Sequence, residues 1–152
     1  MSKIEELKQL MSIDACNTAP DIQQHFDHIA KLLFECFVIE YEGSRYLFKD
    51  IEFYYYNKNH RDIITHPRCS KAMQWYINDF GGIDLNFESS IKFNIIINDK
   101  KKSSKRYLLD DNASFGGILL RKLEKEDGSE ILDGPWACAE LFRFFNGLLF
   151  CP

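Results

Sequence analysis

The chain has 152 residues, 45% hydrophobic and 28% charged, with a formal net charge of −4. That length supplies one ordinary core and predicts a single domain over 1–152, while the acidic balance excludes a broad basic footprint on nucleic acid. No apolar run approaches the roughly 20 residues of a membrane-spanning helix, and the opening MSKIEELKQL is a charged amphipathic start rather than a signal peptide, so a cytoplasmic protein with no membrane partner is expected.

Ser2 followed by Glu5 forms a capping-box pattern that opens a short helix through about Leu10. A stronger helix follows in TAPDIQQHFDHIAKLLFECF. Thr18 can cap it, Pro20 sits in its first turn, and Ile22, Phe26, Ile29 and Leu33 recur at helical spacing, so one face should lie on a sheet. From Phe37 the pattern changes to short runs rich in Val, Ile, Tyr and Phe, with YEGSRY read as a hairpin around Gly43 and Ser44. Strands are expected at 37–41, 46–56, 73–78, 83–87, 91–97 and 117–124. Asp133 then offers a cap and Pro135 a first-turn residue for a last helix that Gly147 could end. The order predicts an α+β domain, a curved and mostly antiparallel sheet flanked by N-terminal and C-terminal helices.

The segment FKDIEFYYYNKNHRDIITHP carries the most chemistry. Side chains alternate along an extended strand, placing Asp50, Glu52, Tyr54 and Tyr56 on one side and Ile51, Phe53 and Tyr55 on the other. Glu52 among aromatic neighbours is either a general base tuned by burial or an ordinary strand-face acid. KKKSSKR concentrates Lys100, Lys101, Lys102, Lys105 and Arg106 in seven residues, either a solvated loop tip or a contact for a polyanion backbone.

Other patterns carry less. His25 with His28, and His60 with His66 and Cys69, have metal-like spacing but lack an evident full ligand set, so no metal is expected. Cys69 with His66 as a nucleophile and base has no third group to orient it. The five cysteines are scattered, with no CxxC pair, and read as reduced, packed thiols. The pairs in NDFGGIDLNF and ASFGGILLRKLE match no nucleotide-phosphate loop, and their glycines read as places of close backbone approach.

Taken in order, the pieces EFY at Glu52 to Tyr54, THP around His66, WYINDFGGIDLNF from Trp75, GGILLRKLE from Gly116 and DGPWACAEL from Asp133 carry a resemblance. The chain resembles the alkyladenine (3-methyladenine) DNA glycosylase family, whose fold is related to the C-terminal domain of methionyl-tRNA formyltransferase, over roughly 46–142. The resemblance implies Glu52 as the acid that activates water, Arg121 beside it, Tyr54 and Tyr76 as walls of a base pocket, His66 as a contact to the extruded nucleotide, and Phe80 as the intercalating aromatic. It implies double-stranded DNA with a damaged base as partner, and no metal or organic cofactor. The alternative is a non-catalytic domain of the same fold that uses an aromatic cleft to bind nucleic acid, a nucleobase or a protein. The long Glu52 to His66 interval, the Pro after the His and the hairpin expected over 91–109 speak for that alternative.

Overall fold

The computed structural model describes residues 1–14, 17–68, 70–78, 80–90, 95–96, 106–107, 111–142 and 148–150. Helix α1 (Lys3–Leu10) is opened by the Ser2/Glu5 capping box, and α2 (Ala19–Cys36) by an equivalent box between Thr18 and Asp21 with Pro20 in its first turn. These reciprocal bonds satisfy N–H groups that a helix start leaves unpaired. Ile22, Phe26, Ile29, Leu32 and Leu33 bury one face of α2.

Strands β1 (Val38–Tyr41) and β2 (Ser44–Asn57) form the expected hairpin, with its turn at Glu42 and Gly43, both at positive φ. Two consecutive residues of this hand match the natural twist of a two-residue hairpin. The remaining strands are β3 (His60–Arg61), β4 (Trp75–Ile77), β5 (Ile83–Asn86), β6 (Ile95–Ile96), β7 (Arg106–Tyr107), β8 (Phe115–Lys125), β9 (Ile131–Asp133) and β10 (Leu148–Phe150). Among the described residues, eight strands join one curled antiparallel sheet in the order β10-β1-β2-β8-β5-β4, with β3 added to β2 and β9 to β8. Strands β6 and β7 pair separately, as a hairpin over 91–109 requires. Its tip, with Lys100, Lys101, Lys102 and Lys105, lies outside the described residues.

The α+β architecture is therefore the one expected, and its differences are local. Asp133 does not cap a helix. It pairs with Lys122 in strand β9, its carboxylate 3.0 Å from Lys122 Nζ, and α3 (Pro135–Glu140) starts instead at Gly134, φ 98°, with no side-chain cap. Residues 143–147 lie outside the described residues, and β10 completes the sheet beside β1.

The pairing of β2 with β8 sorts the side chains. Phe26 of α2 stacks on Phe53 at 4.4 Å between ring centroids, and Tyr55 and Phe87 pack around the same ring. Such a stack adds about 0.5–1.5 kcal/mol beyond the burial of its area. Ile118, Leu120 and Leu85 are fully buried on this face. The alternation does not run back unbroken to the start of β2, since Tyr46 and Phe48 are also core residues. A double irregularity leaves Lys49 unmatched on β2 and Arg121 unmatched on β8, which restores the core face on both sides of it.

Gly116 faces the backbone of Tyr54 and Tyr55 so closely that an added Cβ would stand 2.8 Å from Tyr55 Cα. Gly116→Ala is expected to destabilise the protein by more than ~4 kcal/mol or to prevent folding, because backbone cannot move aside as a flexible side chain can. Urea denaturation followed by circular dichroism would measure it, and an unchanged midpoint would refute the close approach.

Candidate functional site

Opposite the helix-covered face, the strand register lays out a row of side chains. Glu52 pairs with Leu119, Leu119 with Asp84, and Asp84 with Tyr76, so four strands contribute to one line on one face. The next row is Tyr54, Gly117 and Asn86. Gly117 leaves this second row open at its centre. A Cβ there would lie 2.6 Å from Arg68 Nη1, so the absent side chain is the space the guanidinium occupies.

Arg68 enters that space from the loop after β3. It is 6% exposed and donates through Nη1 to Asp84 Oδ2 at 2.6 Å and to Asn86 Oδ1 at 2.9 Å, and through Nε to the His66 carbonyl at 3.3 Å. Its guanidinium carbon stands 5.0 Å from the centre of the Tyr76 ring. A buried ion pair held by this many partners fixes geometry more than it adds stability, since removing water from both charges offsets most of their attraction.

A cleft of about 550 Å³ opens above the pair. Its walls are Tyr54, Ile63, Ile64, Thr65, His66, Phe80, Leu119, Pro135 and Trp136, with Arg68, Asp84, Asn78 and Gly82 beneath. The rim is unusually apolar for exposed residues: Ile63 is 90% exposed, Phe80 72%, Ile64 64% and Trp136 62%. Two short loops hold them there. Asp62 accepts from Thr65 Oγ1 at 2.8 Å and from the Ile64 amide at 3.2 Å, while Asn78 Oδ1 accepts from the amides of Phe80 and Gly82 at 3.0 Å each. Trp136 Nε1 donates to the Phe80 carbonyl at 2.9 Å, tying the two aromatic residues into one rim.

Tyr54, His66 and Phe80 therefore meet at one cleft, and the His66 and Phe80 rings lie 5.5 Å apart. Glu52 and Arg121 pair with each other beside it, Arg121 Nη1 donating to Glu52 Oε2 at 2.9 Å, with both side chains a little over 40% exposed. An ion pair so wetted contributes about 0–1 kcal/mol, so its consequence is orientation of the carboxylate rather than stability. Tyr54 links the two regions. Burial pushes its phenol above the usual range, and the nearby negative charge of Glu52 pushes it further, so the neutral form persists.

Tyr76 differs from its expected role as the second wall. It does not line the cleft but lies against Arg68. Trp136 occupies the cleft wall instead. Arg68, Asp84, Asn86, Asn78 and Trp136 are not among the residues that the sequence singles out. One signal was present: in IDLN the polar Asp84 and Asn86 share one face of a strand whose residues are all buried, which demands a buried partner.

The remaining histidines are structural. His25 Nδ1 lies 2.7 Å from the Leu10 carbonyl, His28 pairs with Glu6 at 3.0 Å, and His60 Nδ1 lies 2.8 Å from the Tyr55 carbonyl. Among the described residues no group of three or more His, Cys, Asp or Glu side chains is placed to hold a metal ion. Cys36 and Cys138 are free thiols, and burial pushes Cys138 up to about 11. Cys69 lies outside the described residues. Among those described, no helix is long and apolar enough to cross a membrane.

No family model and no solved structure matches the chain. It is similar to the uncharacterized protein L759 of Acanthamoeba polyphaga mimivirus, 28% identical over 120 residues. The match covers 74% of this chain and 54% of that protein, so the chain spans about half the length of its curated relative.

Asp84→Ala is expected to cost about 3–5 kcal/mol, because it leaves Arg68 as an uncompensated buried cation. Glu52→Ala, which breaks the exposed pair, should cost less than about 1 kcal/mol. Thermal melts of the two variants side by side test this ranking, and equal losses would refute it.

Proposed function

We propose that the protein is a monofunctional N-glycosylase-like hydrolase, acting on a modified purine flipped from double-stranded DNA. The observation that carries the reading is the convergence of Tyr54, His66 and Phe80 on one cleft, with the Glu52 carboxylate held beside it by Arg121. This is the set of residues that resembles the alkyladenine glycosylase family in sequence.

The chemistry follows from the parts. A base must leave the stack before its glycosidic bond is accessible, at a cost of a few kcal/mol that is least for a damaged or mispaired base. Stacking on aromatic side chains returns about 1–3 kcal/mol per base. Phe80, held outward by its turn, is the residue available to fill the gap in the duplex. Glu52 would then take a proton from the water that attacks the sugar C1′ as the base departs, a role suited to a carboxylate fixed in place yet open to solvent. His66, at the rim beside Phe80, is placed to meet the nucleotide on its way in.

The backbone contact falls to the basic hairpin. Lys100 to Arg106 would concentrate positive charge against phosphate in a protein whose net charge is otherwise unfavourable for DNA.

A second reading, a non-catalytic binding domain, is favoured by one observation. Glu52 and Arg121 stand beside the cleft rather than among the residues lining it. Single-turnover release of base from duplexes holding hypoxanthine, ethenoadenine or an alkylated purine separates the two. The first reading expects release by wild type and a loss of at least ~100-fold in Glu52→Gln, the usual contribution of a general base. Binding without release by a folded wild type would establish the second. Lys101→Glu with Lys102→Glu should weaken duplex binding and flatten its dependence on salt by about 0.9 in log–log slope for each phosphate no longer neutralised. An unchanged slope would remove the hairpin from the binding surface.

A further inference from the structure

We infer that the turn carrying Ile63 and Ile64 is a second wedge for duplex DNA, entering a base step next to the one that Phe80 fills, with Lys58 and Arg61 against the adjacent phosphates. The inference rests on the reading of the cleft as a site for a flipped nucleotide, and it names how the duplex is held open around that site.

The turn is built around one acid. The Thr65 amide donates to the Asp62 carbonyl at 3.2 Å, which closes a β-turn with Ile63 and Ile64 at its central positions. The Asp62 carboxylate closes it further, accepting from the Ile64 amide at 3.2 Å and from Thr65 Oγ1 at 2.8 Å. Thr65 is buried, so the base of the turn is anchored while its apex stands in solvent. Gly, Pro, Asn, Asp and Ser are the residues that suit such an apex. Two β-branched side chains there, 90% and 64% exposed, serve neither the turn nor the core. Their stiff χ1 angles make the apex a rigid apolar tip, so little freedom is lost when it enters another surface.

The tip is placed at a different point of the rim from Phe80. His66, which follows Ile64 and Thr65 in the chain, lies 5.5 Å from Phe80 between ring centroids, and the Phe80 carbonyl accepts from Trp136 Nε1 at 2.9 Å. Ile63, Ile64, His66, Phe80 and Trp136 all border the same cleft, with His66 between the tip and Phe80 in this order of contact. A nucleotide turned into the cleft leaves a neighbour on each side, and apolar groups at two points of the rim can support both interrupted stacks. Side chains such as Ile and Phe inserted between base steps unstack them and kink a duplex by about 20–90°.

Charge decides the kind of partner. An apolar tip alone suits a protein groove or a lipid surface as well as a base step. Lys58 and Arg61 precede it and are both exposed, and Arg61 Nε donates to the Lys58 carbonyl at 3.4 Å, which holds the guanidinium against the β2–β3 turn. Asp62 is the only acid between Asn57 and Arg68, and its carboxylate is taken up by its own turn. A rigid apolar tip beside cations, at the mouth of a cleft, matches a polymer in which flat apolar bases are strung between phosphates.

The test uses the full chain and duplexes that hold a tetrahydrofuran abasic analogue, which has no base to release, with the fluorescent base 2-aminopurine placed immediately 5′ of it in one duplex and immediately 3′ in another. Unstacking brightens the reporter. Wild type is expected to brighten both reporters on binding. Ile63→Ser with Ile64→Ser should return one of them to the level of the free duplex and weaken binding at least about tenfold, the worth of burying one such side chain, while the circular dichroism spectrum is retained because both residues are exposed. Lys58→Ala with Arg61→Ala should weaken binding and flatten its salt dependence by about 0.9 in log–log slope for each phosphate released, with both reporters bright at saturation. Brightening of one reporter alone by wild type would overturn the inference, as would two bright reporters in the Ser variant or absence of binding to either duplex. Binding to vesicles of anionic phospholipid that the Ser variant loses, with its duplex binding unchanged, would also overturn it and assign the tip to a membrane. Two bright reporters with no base release by wild type from duplexes holding hypoxanthine, ethenoadenine or an alkylated purine would refute the hydrolase reading and leave the wedge standing. Base release with one bright reporter would do the reverse.

Discussion

The antiparallel pairing of β2 with β8 is the constraint on which the rest of the molecule depends. It runs from Tyr46 against Lys125 to Tyr56 against Phe115, and it alternates side chains between a helix-covered core and an open face. Phe53 and Tyr55 point to Phe26 and Phe87, while Glu52 and Tyr54 point the other way. A slip of one residue would bury Glu52 and expose Phe53, so the packing of α2 and the placement of the site are a single choice. The irregularity at Lys49 and Arg121 belongs to the same choice. Without the extra residue on β8, Arg121 could not share a face with Glu52 while both Leu120 and Leu123 remain in the core.

Two ion pairs on the open face illustrate how burial changes the meaning of the same chemistry. Glu52 with Arg121 is wetted, contributes little to stability and holds a carboxylate where solvent can reach it. Arg68 with Asp84 is dry, and neither partner can be removed without leaving a charge that the interior cannot solvate. The first pair keeps its charges in water and the second holds a fixed geometry. The glycines decide where the second pair fits, for Gly117 admits the guanidinium and Gly116 admits the neighbouring backbone.

The apolar rim is the other departure from an ordinary surface. Ile63, Ile64 and Phe80 are exposed in loops whose own hydrogen bonds hold their backbone, and Trp136 is exposed in the first turn of α3, tied to the Phe80 carbonyl. Isolated exposed apolar residues need no explanation, but a collar of them around a cleft marks a surface that contacts something.

Periodicity and capping determined much of this protein by themselves. The helical spacing of Ile22, Phe26, Ile29 and Leu33, the boxes at Ser2 and Thr18, and the alternation from Ile51 to Tyr56 are local patterns, and local geometry suffices to read them. Glu52, Tyr54, His66 and Phe80 were legible as candidates because acids and aromatic residues in such a pattern stand out along the chain. What the tertiary structure alone decided is who meets whom. The exchange of Tyr76 for Trp136 at the cleft wall, the strand at 131–133 that takes Asp133 from its expected cap, and the burial of Arg68 against Asp84 all depend on contacts between segments far apart in sequence. No local pattern encodes them, because an arginine after His-Pro is an ordinary loop residue until a glycine on another strand leaves room for it.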